Sequence, residues 1–422
     1  MLAARLAEAG RTCILINRTP AFGLGVAYST PFEGHLLNVR SNRMSAVSGD
    51  PDHFVRWLQR HRPDVGDPEG FAPRKVYGDY VRDRLAEATT THPGLIEQRI
   101  GGVVGAERTA QGWTVRLADG ETIEVSAVVI ATGNPAPRTA GRGALIGPVI
   151  GDPWAPRALE RIGPDADIVI VGTGLTMVDM LLSLDAAGWT GRAAALSRRG
   201  LLPRAHGVKP DAPLAPTNDL TDAPLSRRLN AARQLGGRDW KPMMEGLRPV
   251  TARLWEAMPN DQRARFVRHL RPWWDVHRHR IAPQVADVIG RLMEEGRLSI
   301  RAGRLAGVDA DRDSAQVRYR PRGGGPEQRL DAAFVIDCTG PGYDPGGDPL
   351  TAGLIAAGHA RVDPLKLGLE ADGSGRLIGR DGAASDDLFL LGPPARAAFW
   401  ETIAVPDIRS RIEDVVGALT GA

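Results

Sequence analysis

The sequence predicts an α/β protein containing two strand–helix–strand crossover units of the dinucleotide-binding kind. Three observations carry this. A buried aliphatic strand, a Gly-x-Gly turn, an amphipathic helix and a second strand follow one another over residues 168–197. The opening residues, up to Asn17-Arg18, repeat the second half of that series. At 422 residues the chain exceeds one compact core, so two or three domains of ~100–200 residues are expected.

The chain opens "MLAARLAEAGRTCILINR". Leu2, Leu6 and Ala9 share one helical face, and Gly10 is a natural stop for that helix. Cys13-Ile14-Leu15-Ile16 is an apolar run of strand length. A helix followed by a buried strand is the second half of a βαβ unit. The complete unit is "DADIVIVGTGLTMVDMLLSLDAAGWTGRAAALSRRG". Ile168-Val169-Ile170-Val171 reads as a strand and Gly172-Thr173-Gly174 as a tight turn. Residues 177–187 form a helix with Met177, Met180, Leu181 and Leu184 on one side, Gly188 caps it, and residues 193–196 form the next strand before Ser197-Arg198-Arg199. The first glycine permits the sharp turn. The second lets the backbone approach a diphosphate, which then rests on free N–H groups at the helix N-terminus. Met177 occupies the place of the fingerprint's third glycine.

Laid on this unit, Gly10 falls on Gly188, Leu6 on Leu184 and Leu2 on Met180. Asn17-Arg18 then meets Ser197-Arg198, with two extra residues in the second copy. On that register the first glycine loop ends at or just before Met1, with its strand ~10 residues further upstream. A misassigned start, a truncated chain and a degenerate protein all remain open as explanations.

Composition excludes several classes. Hydrophobic residues make up 42% and charged residues 24%, ordinary for a globular protein. The net charge is only +3, and the basic residues are nearly all Arg, Lys standing only at 75, 209, 241 and 366. With no dense basic tract, no nucleic-acid partner is expected. Cys13 and Cys338 lie far apart in apolar runs and form no CxxC, against a redox dithiol or a cysteine zinc site. The His277-x-His279 pair lacks carboxylates or cysteines at ligand spacing, so no metal is expected. No apolar run approaches the ~20 residues of a membrane span, and no signal-peptide core opens the chain. A cytoplasmic protein without membrane partners is the expectation.

A set of motifs then carries a resemblance. "GLGVAYST", "HLLNVRSNRMSAVSGDPDHFVRWL", "YGDYVRDRL", "VVIATGNPAP", "GTGLTMVDMLLSL", "SRRGLLPRAH", "WWDVHRHRIAP" and "LFLLGPPARAAFWETIAVPDIR" span nearly the whole chain. Together they resemble the FAD/NAD(P)-binding flavoprotein family related to class B flavin monooxygenases of the N-hydroxylating type. The resemblance implies two nested Rossmann-like dinucleotide-binding domains with a helical insertion. FAD would occupy residues 1–145 and NADPH residues 146–345, with the insertion at about 205–285. Residues 346–422 would return to the FAD domain.

The same resemblance implies the site residues. Asn17 and Arg18 would meet the adenosine ribose, Asn17 standing where an acid is usual. Asn38, Arg40, Arg43 and Met44 would belong to a flavin-contacting loop, and Ala131-Thr132-Gly133 to a turn beside the cofactor. Asp337-Cys338-Thr339-Gly340 is a second copy of that turn. Gly392, Trp400 and Glu401 lie in the flavin-closing segment, where Pro393 replaces the Asp that many relatives carry after the glycine. Gly172, Thr173, Gly174, Thr176 and Ser197 would seat the second nucleotide. Arg198 and Arg199 stand where an acid would mark NAD, so pairing with a 2′-phosphate favours NADPH.

The implied chemistry is oxygen transfer from O2 to a small amine or sulfur substrate through a flavin C4a-hydroperoxide, in a pocket kept dry by the protein. Asp152-Pro153-Trp154 lacks the histidine of the Baeyer–Villiger pattern, which disfavours ketone oxygenation. Two other readings stand beside this one: a flavin-dependent NAD(P)H reductase serving another acceptor, and a degenerate nucleotide-binding protein without catalysis. Catalytic residues, substrate identity and oligomeric state are not readable.

Overall fold

The computed structural model describes residues 1–135, 147–209, 211–237, 239–342 and 344–421. The expected boundary at 145/146 lies outside the described residues.

Helix α1 (Leu2–Glu8) buries Ala3, Ala4 and Ala7 against Leu85 and Ala88 of α3 (Arg74–Thr91). Small side chains let the two backbones come close along this alanine ridge. The expected face of Leu2, Leu6 and Ala9 packs on the other side, against Leu391, Ile412 and Val416. Between α1 and α3 lies α2 (His53–His61). Gly10 takes φ +71°, the left-handed cap conformation. Strand β1 (Cys13–Asn17) follows and pairs in parallel with β2 (Ile96–Ile100). β3 (Val103–Thr109), β4 (Gly112–Leu117) and β5 (Thr122–Val125) form an antiparallel sheet, and the chain returns through β6 (Val128–Ile130).

The second unit holds β7 (Val149–Ile150), β8 (Ile168–Val171), β9 (Ala193–Ser197), β10 (Leu298–Ala310), β11 (Ala315–Pro321), β12 (Gln328–Ala332) and β13 (Phe334–Asp337). They form one sheet of seven strands in the order β12-β11-β10-β9-β8-β13-β7. β8 lies between β9 and β13, parallel to both. All four β8 residues are buried, as an aliphatic run covered on both faces requires. Helix α4 (Leu175–Ala186) links β8 to β9 and begins two residues before the expected Met177. Its buried residues run all round, because the sheet covers one side and the first unit the other. Each large apolar side chain so buried contributes about 1.5–3 kcal/mol. Met177 is fully buried, filling the space a third glycine would leave open.

After β13 the chain goes back to the first unit. β15 (Ala384–Leu390) pairs in parallel with β6 and antiparallel with β14 (Arg376–Ile378). By position β1 corresponds to β9 and β6 to β13. Where the second unit has β8, no strand joins β1 to β6 among the described residues. Cys13 of β1 and Val129 of β6 nevertheless pack against one cluster, made by Leu6, Leu391, Ile412 and Val416. Short helices between Asn218 and Arg278 form the insertion, including a π-helical turn at Phe266–Leu270. No helix among the described residues is long and apolar enough to cross a membrane.

Candidate functional site

The turn after β8 is built by contact as well as by conformation. Gly172 has φ +114°, and a Cβ there would lie 2.2 Å from the Cys338 carbonyl oxygen. Cys338 belongs to the turn after β13, where the Asp337 carboxylate accepts from the Thr339 N–H at 2.9 Å. The two turns at the ends of neighbouring strands therefore interlock. Gly174 differs: its backbone is extended, it is exposed, and nothing lies within 4 Å of the position its Cβ would take. That open side faces out at the start of a helix of 12 residues, the arrangement that receives a diphosphate on free N–H groups. Thr176, half-buried, is the second residue of this helix.

Thr173 ties the turn to the next strand end. Its hydroxyl lies 2.8 Å from Ser197 Oγ and 2.6 Å from the Leu201 carbonyl. Ser197 Oγ also accepts from the Gly200 N–H at 3.0 Å. Arg198 is exposed, whereas Arg199 donates to the His269 carbonyl at 3.2 Å. The structure thus brings Gly172, Thr173, Gly174, Thr176, Ser197, Arg198 and Arg199 to one end of one sheet.

In the first unit Ala131 and Thr132 are exposed at the end of β6, and Gly133 takes φ +75° with nothing within 4 Å of its Cβ position. Gly392, at the end of β15, has φ +71° and ψ −148°, a region open only to glycine, and is also unobstructed. Gly340 likewise takes φ +89° with open space beyond it. These unobstructed turns suit a cofactor lying across the strand ends. The Asn17 amide donates to the Thr19 and Ala21 carbonyls, and Arg18, largely exposed, lies 3.7 Å from Asp348.

The loop through Asn38 and Arg43 meets the insertion. The Asn38 carbonyl accepts from His206 Nε2 at 3.0 Å, and Arg40 donates to the backbone carbonyls of Glu69 and Gly207. Arg43 pairs with the buried Glu245 at 2.7 Å, and Glu245 is shared with Arg280 and Arg248. Burial pushes the Glu245 carboxyl up, but the three guanidinium groups outweigh it and hold it below its ordinary value. Two expected contacts turn elsewhere. The Met44 side chain is buried in the core with Leu37, Val39, Phe54 and Tyr80, leaving only its backbone near the loop surface.

Trp400 is buried too, 4.8 Å from Trp255 and under the Arg396 guanidinium, at the strained φ of +61°. The next residue, Glu401, accepts from Trp274 Nε1 at 2.6 Å and lies 3.6 Å from His279. His277 points elsewhere, edge-on to Trp240. No group of three or more possible metal ligands occurs among the described residues.

Sequence reasoning missed Asp179, and it marked His35 only as the start of the flavin-contacting loop. Asp179 is a buried carboxylate of α4 held by Arg74 at 2.7 Å, and His35 reaches the same helix turn. A charged residue inside an otherwise apolar helix was the one available signal.

Residues 1–135 match the family model described as FAD-NAD(P)-binding. No curated protein matches the chain. Among solved structures the chain is similar to the L-lysine 6-monooxygenase of Pseudomonas syringae, with 16% identity, TM-score 0.68, and coverage of 99% of this chain and 95% of that one. It is similar to the ornithine N-hydroxylase of Kutzneria sp. 744, solved with reduced FAD, NADP+ and L-ornithine, with 15% identity, TM-score 0.66 and the same coverage. It is also similar to the FAD-bound cadaverine monooxygenase of Erwinia amylovora, with 13% identity, TM-score 0.69, and coverage of 100% and 92%. The fold is therefore the two-domain Rossmann-type flavoprotein fold that these N-hydroxylating monooxygenases share.

Proposed function

We propose that the protein is an FAD- and NADPH-dependent monooxygenase that oxygenates a small amine or sulfur nucleophile. The observation that carries the reading is the superposition of the whole chain, second unit and C-terminal return included, on three amine-hydroxylating enzymes. Cys13 sits in β1 and Cys338 after β13, both as free thiols, which supports oxygen over a disulfide as the electron acceptor.

In this reading the bound cofactors carry electrons from NADPH through flavin to O2. The chain's own residues bind and orient. The N–H groups after Gly174 take the diphosphate of NADPH, and Arg198 and Arg199 take its 2′-phosphate as charge-assisted donors. The Ala131-Thr132-Gly133 turn and Gly392 would hold FAD, with Asn38 and Arg43 in the loop that would contact its flavin. Gly392 is held in place by the Thr402 hydroxyl, which donates to its carbonyl at 2.9 Å. The aromatic cluster of Trp255, Phe266, Trp274 and Trp400 walls the C-terminal block and excludes water, which suppresses wasteful side reactions.

The test is turnover of the FAD-reconstituted protein with NADPH, O2 and a panel of primary amines and thioethers. The expected result is NADPH oxidation coupled to hydroxylamine or sulfoxide formation, with little peroxide. Anaerobic turnover with an artificial acceptor, and peroxide alone in air whatever substrate is added, would overturn the proposal.

A further inference from the structure

We propose that Asp179 is a positioning residue that holds the nucleotide-bearing turn of the second unit in register with the flavin loop of the first. The proposal rests on the NADPH-to-flavin reading above.

Asp179 lies one turn inside α4, about 6 Å along the axis from the residue that follows the glycine turn. It sits within a helix packed against its own sheet, yet its carboxylate is held by Arg74 of the other unit and its carbonyl oxygen is met by His35 of that unit. The Asp179 carboxylate, with its side chain 5% exposed, accepts from Arg74 Nη1 at 2.7 Å. Arg74 is the first residue of α3. Its Nε donates to the Leu36 carbonyl at 2.9 Å, and its backbone N–H donates to the His35 carbonyl at 2.8 Å.

The His35 ring closes the other side. Nε2 lies 2.9 Å from the Asp179 carbonyl oxygen and 2.9 Å from Ser183 Oγ. A carbonyl only accepts, so Nε2 carries the proton. Nδ1 then accepts from the Thr30 hydroxyl at 2.7 Å. Burial outweighs the nearby carboxylate and keeps this imidazole neutral. Phe32 and Trp154 flank the ring edge-on at 5.0 and 5.8 Å.

The clamp and the flavin loop are one short piece of chain. Three residues after His35, Asn38 begins the loop that His206 and Arg40 tie to the insertion. One segment thus grips α4 beside its nucleotide-binding end and presents the flavin contacts at its other end. A clamp this close to the helix start leaves almost no lever arm between the two sites. A buried ion pair is a poor source of stability compared with apolar side chains of the same size, whereas its directional bonds specify one register.

Two variants test this. Asp179→Asn keeps the shape and removes the charge. The double variant Arg74→Met with Asp179→Leu removes the pair and preserves packing. The first readout needs no cofactor. Spin labels at Gln59→Cys on α2 and Glu294→Cys on the helix Pro283–Glu294, in a Cys13→Ala background, report the distance between the units. A single narrow distribution is expected for the parent and a broadened or second one for both variants. The second readout is anaerobic flavin reduction by NADPH. Both variants are expected to bind NADPH within about threefold of the parent and to reduce flavin at least about tenfold more slowly. Unchanged distance distributions, or reduction at the parent rate, would overturn the role of Asp179. Absence of flavin reduction in the parent itself would instead overturn the proposed function, with the label distances still deciding the clamp.

Discussion

Replacing each glycine of the turn after β8 separates what the fold needs from what the cofactor needs. In Gly172→Ala the new methyl lies 2.2 Å from the Cys338 carbonyl oxygen and 2.6 Å from its carbon, both backbone atoms of an interlocked turn. The residue must also hold φ +114°. The backbone strain costs about 1–3 kcal/mol and the overlap about 1–3 kcal/mol more, so the loss is about 2–6 kcal/mol. That is a large share of a typical stability of about 5–15 kcal/mol and lowers the melting temperature by about 5–15 °C. Gly174→Ala meets nothing within 4 Å and has an ordinary extended backbone, so its melting temperature stays near that of the parent. Its methyl instead occupies the space a diphosphate approaches. Losing one charge-assisted hydrogen bond, about 1.5–3 kcal/mol, weakens NADPH binding by about 10- to 150-fold. Differential scanning fluorimetry and NADPH titration measure the two quantities separately. Equal melting losses in both variants, or unaltered NADPH affinity in Gly174→Ala, would refute the division of labour.

Other expectations follow from the same geometry. Arg198→Ala and Arg199→Ala should each weaken NADPH by about 10- to 100-fold while leaving NADH almost unchanged, as isothermal titration with both nucleotides would show. Met177→Ala, at a fully buried site, should cost about 2–5 kcal/mol by chemical denaturation without altering nucleotide preference. His206 provides a pH test. Burial first, then Arg280 and Arg40, push its pKa from the ordinary 6.5 down to about 3. The unfolded chain therefore binds the extra proton between these values, so stability rises with pH through that window and is complete above 6.5. His206→Gln keeps a donor for the Asn38 carbonyl and should remove about 1.4 kcal/mol per pH unit from the slope between about pH 4 and 6. Urea unfolding at several pH values reads this directly, and an unchanged slope would refute a neutral His206.

The parts of the fold that were legible depend on near neighbours in the chain. The run Ile168 to Val171 is too apolar and too short for anything but a covered strand, and Gly172-Thr173-Gly174 announces a turn that only glycine can make. The end of α1 at Gly10 was legible for the same reason. The face of Leu2, Leu6 and Ala9 was legible too, and it packs against Leu391, Ile412 and Val416, but the second packed face of α1 was not. Hydrophobic periodicity weights leucine above alanine, while close helix approach at α3 selects Ala3, Ala4 and Ala7 for their small size. Met44 and Trp400 show a second failure. A motif marks a segment, but whether a side chain turns toward a cofactor or into the core depends on what packs behind it. Asp179 was illegible because its partner Arg74 lies 105 residues away, and nothing local distinguishes a clamped carboxylate from a misplaced one.

By itself the sequence determined the complete crossover unit with its glycine turn, the helix and strand of the half unit that opens the chain, and the arginines after β9, since each follows from backbone sterics and hydropathy over a few residues. Only the tertiary structure decided which turn interlocks with which, why Gly172 tolerates no side chain while Gly174 needs its space for another reason, and how His35, Arg74 and Asp179 join the two units. Those outcomes come from desolvation. A buried charge or carbonyl must find a partner, and the partner's identity is settled by which distant elements the core brings together.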